Sequence, residues 1–120
     1  MRTGIKIAAI SLIFIAAITV VACRRAATPT AVVRQLHAAI IKEDAKAIGE
    51  LMTVEGAQAM VLFLEKASGI MAAQGDITNT EEIIDGDTAI VIVSYSNGEA
   101  SEWDLVRIDG SWKVDLDMSK

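Results

Sequence analysis

Hydrophobic positions follow three regimes along the chain. From Ile7 to Val21 they run almost unbroken, interrupted only by Ser11 and Thr19. From Thr28 to Gly75 they recur every three or four residues, the spacing of a helix face turned toward a core. After Gly75 the period drops to two, the spacing of a strand with one buried face.

The second regime predicts three helical stretches. Thr28-Pro29 opens the first: a hydroxyl caps it, and proline occupies a place where a missing N–H costs nothing. Val32, Val33, Leu36, Ile40 and Ile41 mark its inner face. Asp44 caps a short second helix with Ile48, Leu51 and Met52 inward. A third stretch starts at Gly56, is apolar nearly all round over Met60–Leu64, continues through Ile70 and Met71, and ends at Gly75.

The third regime predicts four strands: Asp76–Ile84, Thr88–Ser96, Glu99–Ile108 and Ser111–Met118. Asp85-Gly86-Asp87, Asn97-Gly98 and Asp109-Gly110 separate them. Such turn dipeptides tolerate positive φ and close tight hairpins, so the strands form an antiparallel meander. A two-residue loop at Asp109-Gly110 sets Leu105 opposite Val114, Trp103 opposite Leu116 and Arg107 opposite Trp112. One face then carries Trp103, Leu105, Trp112, Val114 and Leu116, and the other Glu102, Asp104, Lys113, Asp115 and Asp117. The apolar face needs helices over it, which makes the fold α+β.

The first regime is different in kind. Fifteen apolar-rich residues are short of the ~20 that span a bilayer. Arg2 and Lys6 precede them, and Val20-Val21-Ala22-Cys23 follows. Basic start, apolar middle and small-residue end make a secretory signal, so residues 1–22 are expected to be a signal peptide. The four residues Val20–Cys23 also resemble the lipobox of bacterial lipoproteins. That resemblance implies cleavage between Ala22 and Cys23 and acylation of Cys23, with membrane lipid as the partner of its acyl chains. Residues 23–27 would be a lipidated cysteine and short tether, and 28–120 the domain. Arg24 stands where lipoproteins retained at an inner membrane carry Asp. By resemblance the protein is therefore exported and held at the outer membrane facing the periplasm, or, in a one-membrane bacterium, on the outer face of the cytoplasmic membrane.

Charge narrows the partners. Beyond residue 22 the chain holds all 16 of its Asp and Glu against nine Lys and Arg, a net of −7. Nucleic acid requires a basic surface, so it is not an expected partner. A single cysteine rules out an intrachain disulfide.

The residues from Thr28 to Ile40, Lys42-Glu43-Asp44, Gly86-Asp87-Thr88-Ala89 and Asp109-Gly110-Ser111-Trp112-Lys113-Val114 together resemble small lipoproteins of the cystatin-like, nuclear-transport-factor-two-like superfamily, near a lumazine-binding-like group of unknown function. The resemblance covers about 28–118. It implies a curved antiparallel sheet wrapped on helices into a cone, and it contains no catalytic motif.

Candidate chemistry is sparse. His37 is the only histidine and lies one turn from Val33 and Ile41, as a boundary residue would. No histidine metal cluster can form with one His and a lipidated Cys, and no Gly-x-Ser-x-Gly elbow or Gly-rich phosphate loop is present, so no metal or cofactor is expected. Asp85-Gly86-Asp87 reads as turn chemistry. Asp115 and Asp117 sit ~7 Å apart on one strand face, a solvated one. Tyr95 reads as a strand-end aromatic. The run Met60–Leu64 offers more than one sheet face can cover, which makes Met60, Val61, Leu64 and Met71 a candidate surface for an envelope protein or a second copy. These features favour a non-enzymatic envelope lipoprotein that binds a partner protein or small ligand. The alternative is a small cone-fold isomerase or hydrolase using His37 or an aspartate as base.

Overall fold

The computed structural model describes residues 27–116. The expected leader, the cleavage pair Ala22–Cys23 and the lipidation site Cys23 lie outside them. Four helices precede four strands: α1 Pro29–Ile41, α2 Ala45–Leu51, α3 Val54–Leu62 and α4 Leu64–Gln74, then β1 Ile77–Asp85, β2 Thr88–Tyr95, β3 Ala100–Ile108 and β4 Ser111–Val114. The strands form one antiparallel sheet in the order β1-β2-β3-β4. The α+β meander expected from the hydrophobic period is the observed fold. Among the described residues no helix is long and apolar enough to cross a membrane.

Three of the four helix starts have a local cause, and α4, which follows directly on Phe63, has no side-chain cap. Thr28 accepts the Ala31 N–H at 3.1 Å, Asp44 accepts the Ala47 N–H at 3.2 Å, and Thr53 accepts the Gly56 N–H at 3.1 Å. These side chains satisfy amides that the helix itself leaves without acceptors. α1 then buries Val33, Leu36 and Ile40 completely. Opposite it the sheet presents one continuous row from each of β2, β3 and β4. Ala89, Val91, Val93 and Tyr95 of β2 alternate with half-buried residues, as do Trp103 and Leu105 of β3 and Trp112 and Val114 of β4. Val91 pairs with Trp103, Leu105 lies between Ala89 and Val114, and Arg107 faces Trp112. The register inferred from the Asp109-Gly110 turn is therefore the one observed as far as Val114.

Two of the expected elements are corrected. The third helical stretch is two helices, because the backbone leaves the helical region at Phe63 (φ −118°, ψ 21°). The Phe63 N–H bonds Met60 O at 3.1 Å, one residue short of the α-helical partner. On either side of the bend Met60 and Leu64 both pack against the core, while Leu62 and Phe63 between them are exposed. The last strand ends at Val114 rather than Met118. Beyond it the Asp115 N–H still bonds Asp104 O at 2.8 Å, so the register persists for one more residue without a strand. Met118 and Asp117 lie outside the described residues. The free side of β4 is covered. The α2–α3 link runs beside it, with a parallel bridge from Met52 to Val114 and the Thr53 N–H on Val114 O at 2.9 Å. An unpaired edge would otherwise invite pairing with another chain.

Candidate functional site

The sheet row and the α3–α4 pair diverge at one end of the domain. That end contains the C-terminal end of β2, the start of β3 and the segment after β4. Between them lies a cavity of about 380 Å³, in the range of small-ligand sites. Met60, Ile70 and Met71 close it on the helix side, and Tyr95, Trp103 and Leu116 on the sheet side. Methionine and tryptophan give it a soft, adaptable apolar wall. Two glycines hold this end together. At Gly56 a Cβ would come within 2.9 Å of Thr53 Oγ1 and 3.2 Å of the Leu116 backbone nitrogen, so the start of α3 can lie against the chain after β4 only without a side chain. Gly75 ends α4 at φ +88°, where a Cβ would meet Ser96 Oγ at 1.9 Å.

The hydroxyl and indole groups of the wall satisfy one another. The Tyr95 hydroxyl lies 2.6 Å from Ser101 Oγ, and Trp103 Nε1 donates to Ser101 Oγ at 2.8 Å and to the Tyr95 oxygen at 3.3 Å. This triangle fixes two large rings in the cavity wall. Tyr95 is the last residue of β2, the strand-end aromatic expected, and at 3% exposed it is also a core residue. The signal was available: it continues the alternation of Ala89, Val91 and Val93. Glu102, Asp104 and Asp115 also contribute to the lining, and no basic residue does. Thr53 Oγ1 donates to Asp115 Oδ1 at 3.3 Å, so this aspartate braces the α2–α3 link.

His37 is buried behind that wall rather than at the boundary. Its ring stacks on Tyr95 with centroids 5.9 Å apart, and its Nε2 has no hydrogen-bond partner among the described residues. Burial pushes its pKa below the usual histidine value, while the charge of Asp76 works in the opposite direction. A histidine held neutral in this way can accept or donate one proton, but it is not part of the cavity lining.

The four residues of the candidate partner surface part company. Met60, Leu64 and Met71 are half-buried and packed against the core, and Val61 points outward, 46% exposed. Next to Val61 the bend exposes Leu62 and Phe63, and Ile70 joins them one to two turns on. Sequence periodicity could not separate these, since it does not register a helix break that lacks Gly or Pro. Asp85 and Asp87 stand in the β1–β2 turn, where Asp87 Oδ1 is 3.1 Å from Arg107 Nε and Arg107 also bonds Gly86 O.

No family model and no curated protein matches the chain. Among solved structures, it resembles one described as a "Putative NTF2-like transpeptidase" from Campylobacter jejuni. The TM-score is 0.57 at 16% sequence identity, over 76% of this chain and 100% of the other. At that identity the likeness concerns the fold alone, and with the four helices and four-stranded antiparallel sheet it identifies the domain as an NTF2-like α+β fold.

Proposed function

We propose that the protein is a membrane-anchored envelope lipoprotein, acylated on Cys23, whose NTF2-like domain binds a small apolar ligand in the cavity between α3–α4 and the sheet without performing chemistry on it. The observation that carries the binding reading is the cavity itself: about 380 Å³, walled by Met60, Met71, Tyr95 and Trp103, with its hydroxyl and indole groups already hydrogen-bonded to one another. Groups satisfied in this way hold the wall in shape and are not poised for proton transfer. The anchor reading draws on Val20-Val21-Ala22-Cys23 behind a basic and apolar leader, and two or three acyl chains hold a protein at a membrane stably where one does not.

The binding test uses a neutral apolar fluorophore, N-phenyl-1-naphthylamine, with the chain from Cys23 onward. Fluorescence should rise on binding, and Met71→Trp, which fills the cavity, should abolish the rise while leaving a folded domain. Unchanged enhancement in that variant would place the probe elsewhere. The anchor test is metabolic labelling with a fatty acid: Cys23→Ser should remove the label, and equal labelling would refute acylation at this residue.

A second reading, a small cone-fold enzyme using His37 or an aspartate as base, draws on the buried, unpartnered His37 Nε2 and on Asp115 in the cavity lining. The "transpeptidase" in the structural relative's name belongs to that protein. Here the only cysteine is Cys23. A turnover that is lost in His37→Gln, with ligand binding retained, would favour this reading over the first.

A further inference from the structure

The point at which the tether meets the domain is fixed by two hydrogen bonds. The Thr30 N–H and hydroxyl both donate to Glu82 Oε1, at 2.9 and 2.8 Å. The start of α1 is thereby pinned to the far part of β1, next to Ile83 and Ile84. Those two side chains are 55% and 51% exposed, and Ile108, at the neighbouring β3–β4 turn, is 45% exposed. The two turns belong to the same end of the sheet: the Arg107 N–H bonds Asp87 O at 2.7 Å. The Asn97-Gly98 turn lies at the opposite end, about 23 Å away along β2 at ~3.3 Å per residue.

Four residues, and so five Cα-to-Cα steps, separate Cys23 from Thr28. Fully extended they reach at most ~18 Å. A headgroup layer takes up ~5–8 Å of that. The anchored end of the domain therefore stays within roughly 10 Å of the headgroup surface, and its exposed apolar side chains are the ones held there. We infer that this end, through Ile83, Ile84 and Ile108, is a membrane-contact surface that seats the domain on the bilayer holding its anchor, with the Asn97-Gly98 end and the cavity mouth turned away. The occupant is a lipid interface, and the inference rests on the anchor reading above. Asp85, Asp87 and Asp109 in the same turns stay in the hydrated headgroup layer, and Arg107 neutralises Asp87. Ile83 and Ile84, adjacent on β1, project from opposite faces of the sheet end, and with Ile108 they lie just behind the turn tips, so their contact is with the interfacial layer rather than with the hydrocarbon beneath it.

The test couples the chain from Cys23 onward, through the Cys23 thiol, to a maleimide phospholipid in phosphatidylcholine nanodiscs that contain a gadolinium-chelate lipid. Paramagnetic relaxation of backbone amides is then read by NMR. Amides of residues 83–88 and 107–110 should relax several-fold faster than those of 96–99. Equal relaxation at the two ends would overturn the seating. Proximity alone is separated from contact by the double variant Ile83→Ser, Ile84→Ser, whose amide spectrum reports that it is folded. The variant should lose most of the enhancement at 107–110, and an unchanged enhancement would overturn the isoleucine contact. Because coupling is chemical, this outcome is independent of whether cells acylate Cys23. That question is decided separately by the mass of Cys23 in protein taken from native membranes, and a bare thiol there would refute the anchor reading.

Discussion

α1 and α4 are similar in length and lie on the same side of the sheet, yet they are built to opposite specifications. α1 buries seven of its 13 residues, including Val33, Leu36 and Ile40 at zero exposure, while α4 buries none of its 11. α1 is closely packed along its inner face, and of its residues Leu36 alone reaches the cavity. Loose packing under α4 leaves the cavity, and an exposed stripe through Leu62, Phe63 and Ile70. One side of the helical layer holds the fold together, and the other is left free to take up a ligand. Regions with few fully buried contacts open at lower cost than the global unfolding free energy, and binding elements are drawn from them.

Core truncations give the largest contrast. Leu36→Ala should cost ~2–5 kcal/mol, since it leaves a void in packing that cannot collapse. Trp112→Ala should cost ~3–5 kcal/mol, because the indole is 8% exposed and carries Arg107 stacked 4.9 Å above its ring. Ile70→Ala, on α4, should cost under ~1 kcal/mol. Denaturant melts measure all three, and an Ile70→Ala loss comparable to that of Leu36→Ala would erase the distinction between the two helices.

The junction of the loose half with the sheet comes next. Gly75→Ala places a side chain at φ +88° and against Ser96 Oγ, which itself accepts the Asp76 N–H at 3.2 Å. The backbone strain alone is worth ~1–3 kcal/mol. The expected result is a destabilisation in that range that also weakens probe binding, since α4 walls the cavity. A destabilised variant with full probe affinity would show that the end of α4 does not set the cavity's shape.

A smaller effect is expected at the bend. If the exposed stripe of Val61, Leu62, Phe63 and Ile70 pairs with a second copy, the chain from residue 24 onward should self-associate at micromolar concentration. Leu62→Glu should return it to monomer, with stability changed by no more than ~0.5 kcal/mol because Leu62 is 79% exposed. Sedimentation at several concentrations is the measurement, and a domain that is monomeric throughout would remove the support for a partner surface on these helices.

How much of this could be read from the chain follows the same division. The tight half was legible: the Thr28-Pro29 start, the α1 stripe, the Asn97-Gly98 and Asp109-Gly110 turns and the Leu105–Val114 register are local patterns with local causes. The loose half was not. The bend at Phe63 falls in a run, Val61-Leu62-Phe63-Leu64, with no residue that breaks a helix by itself. The cavity exists because two elements distant in sequence diverge, and no periodicity encodes that. His37 falls between the cases. Its spacing from Val33 and Ile41 suggested a boundary, and only the stacking on Tyr95 from a strand 58 residues later shows it to be interior.

That histidine supplies the finest test of the comparison, because it sits on the tight helix with its ring against the cavity's outer wall. Burial lowers its pKa in the folded chain, whereas the unfolded chain titrates near the ordinary value of 6.5. As pH falls through 6.5 the unfolded state binds a proton before the folded state does, so stability must fall with pH in that window; above it, both states are neutral at this residue and no contribution remains. The slope from one group cannot exceed one proton's worth, about 1.4 kcal/mol per pH unit. Denaturant melts from pH 8 to pH 5 should therefore show a decline that His37→Gln flattens. Asp76 opposes the shift, so Asp76→Asn should steepen the decline. If His37→Gln declines as steeply as the natural chain, the titration belongs to other groups and His37 does not behave as a buried neutral side chain. If Asp76→Asn is without effect while His37→Gln flattens the curve, burial alone sets the histidine's state, and the charge at the start of β1 does not reach it through the packed wall.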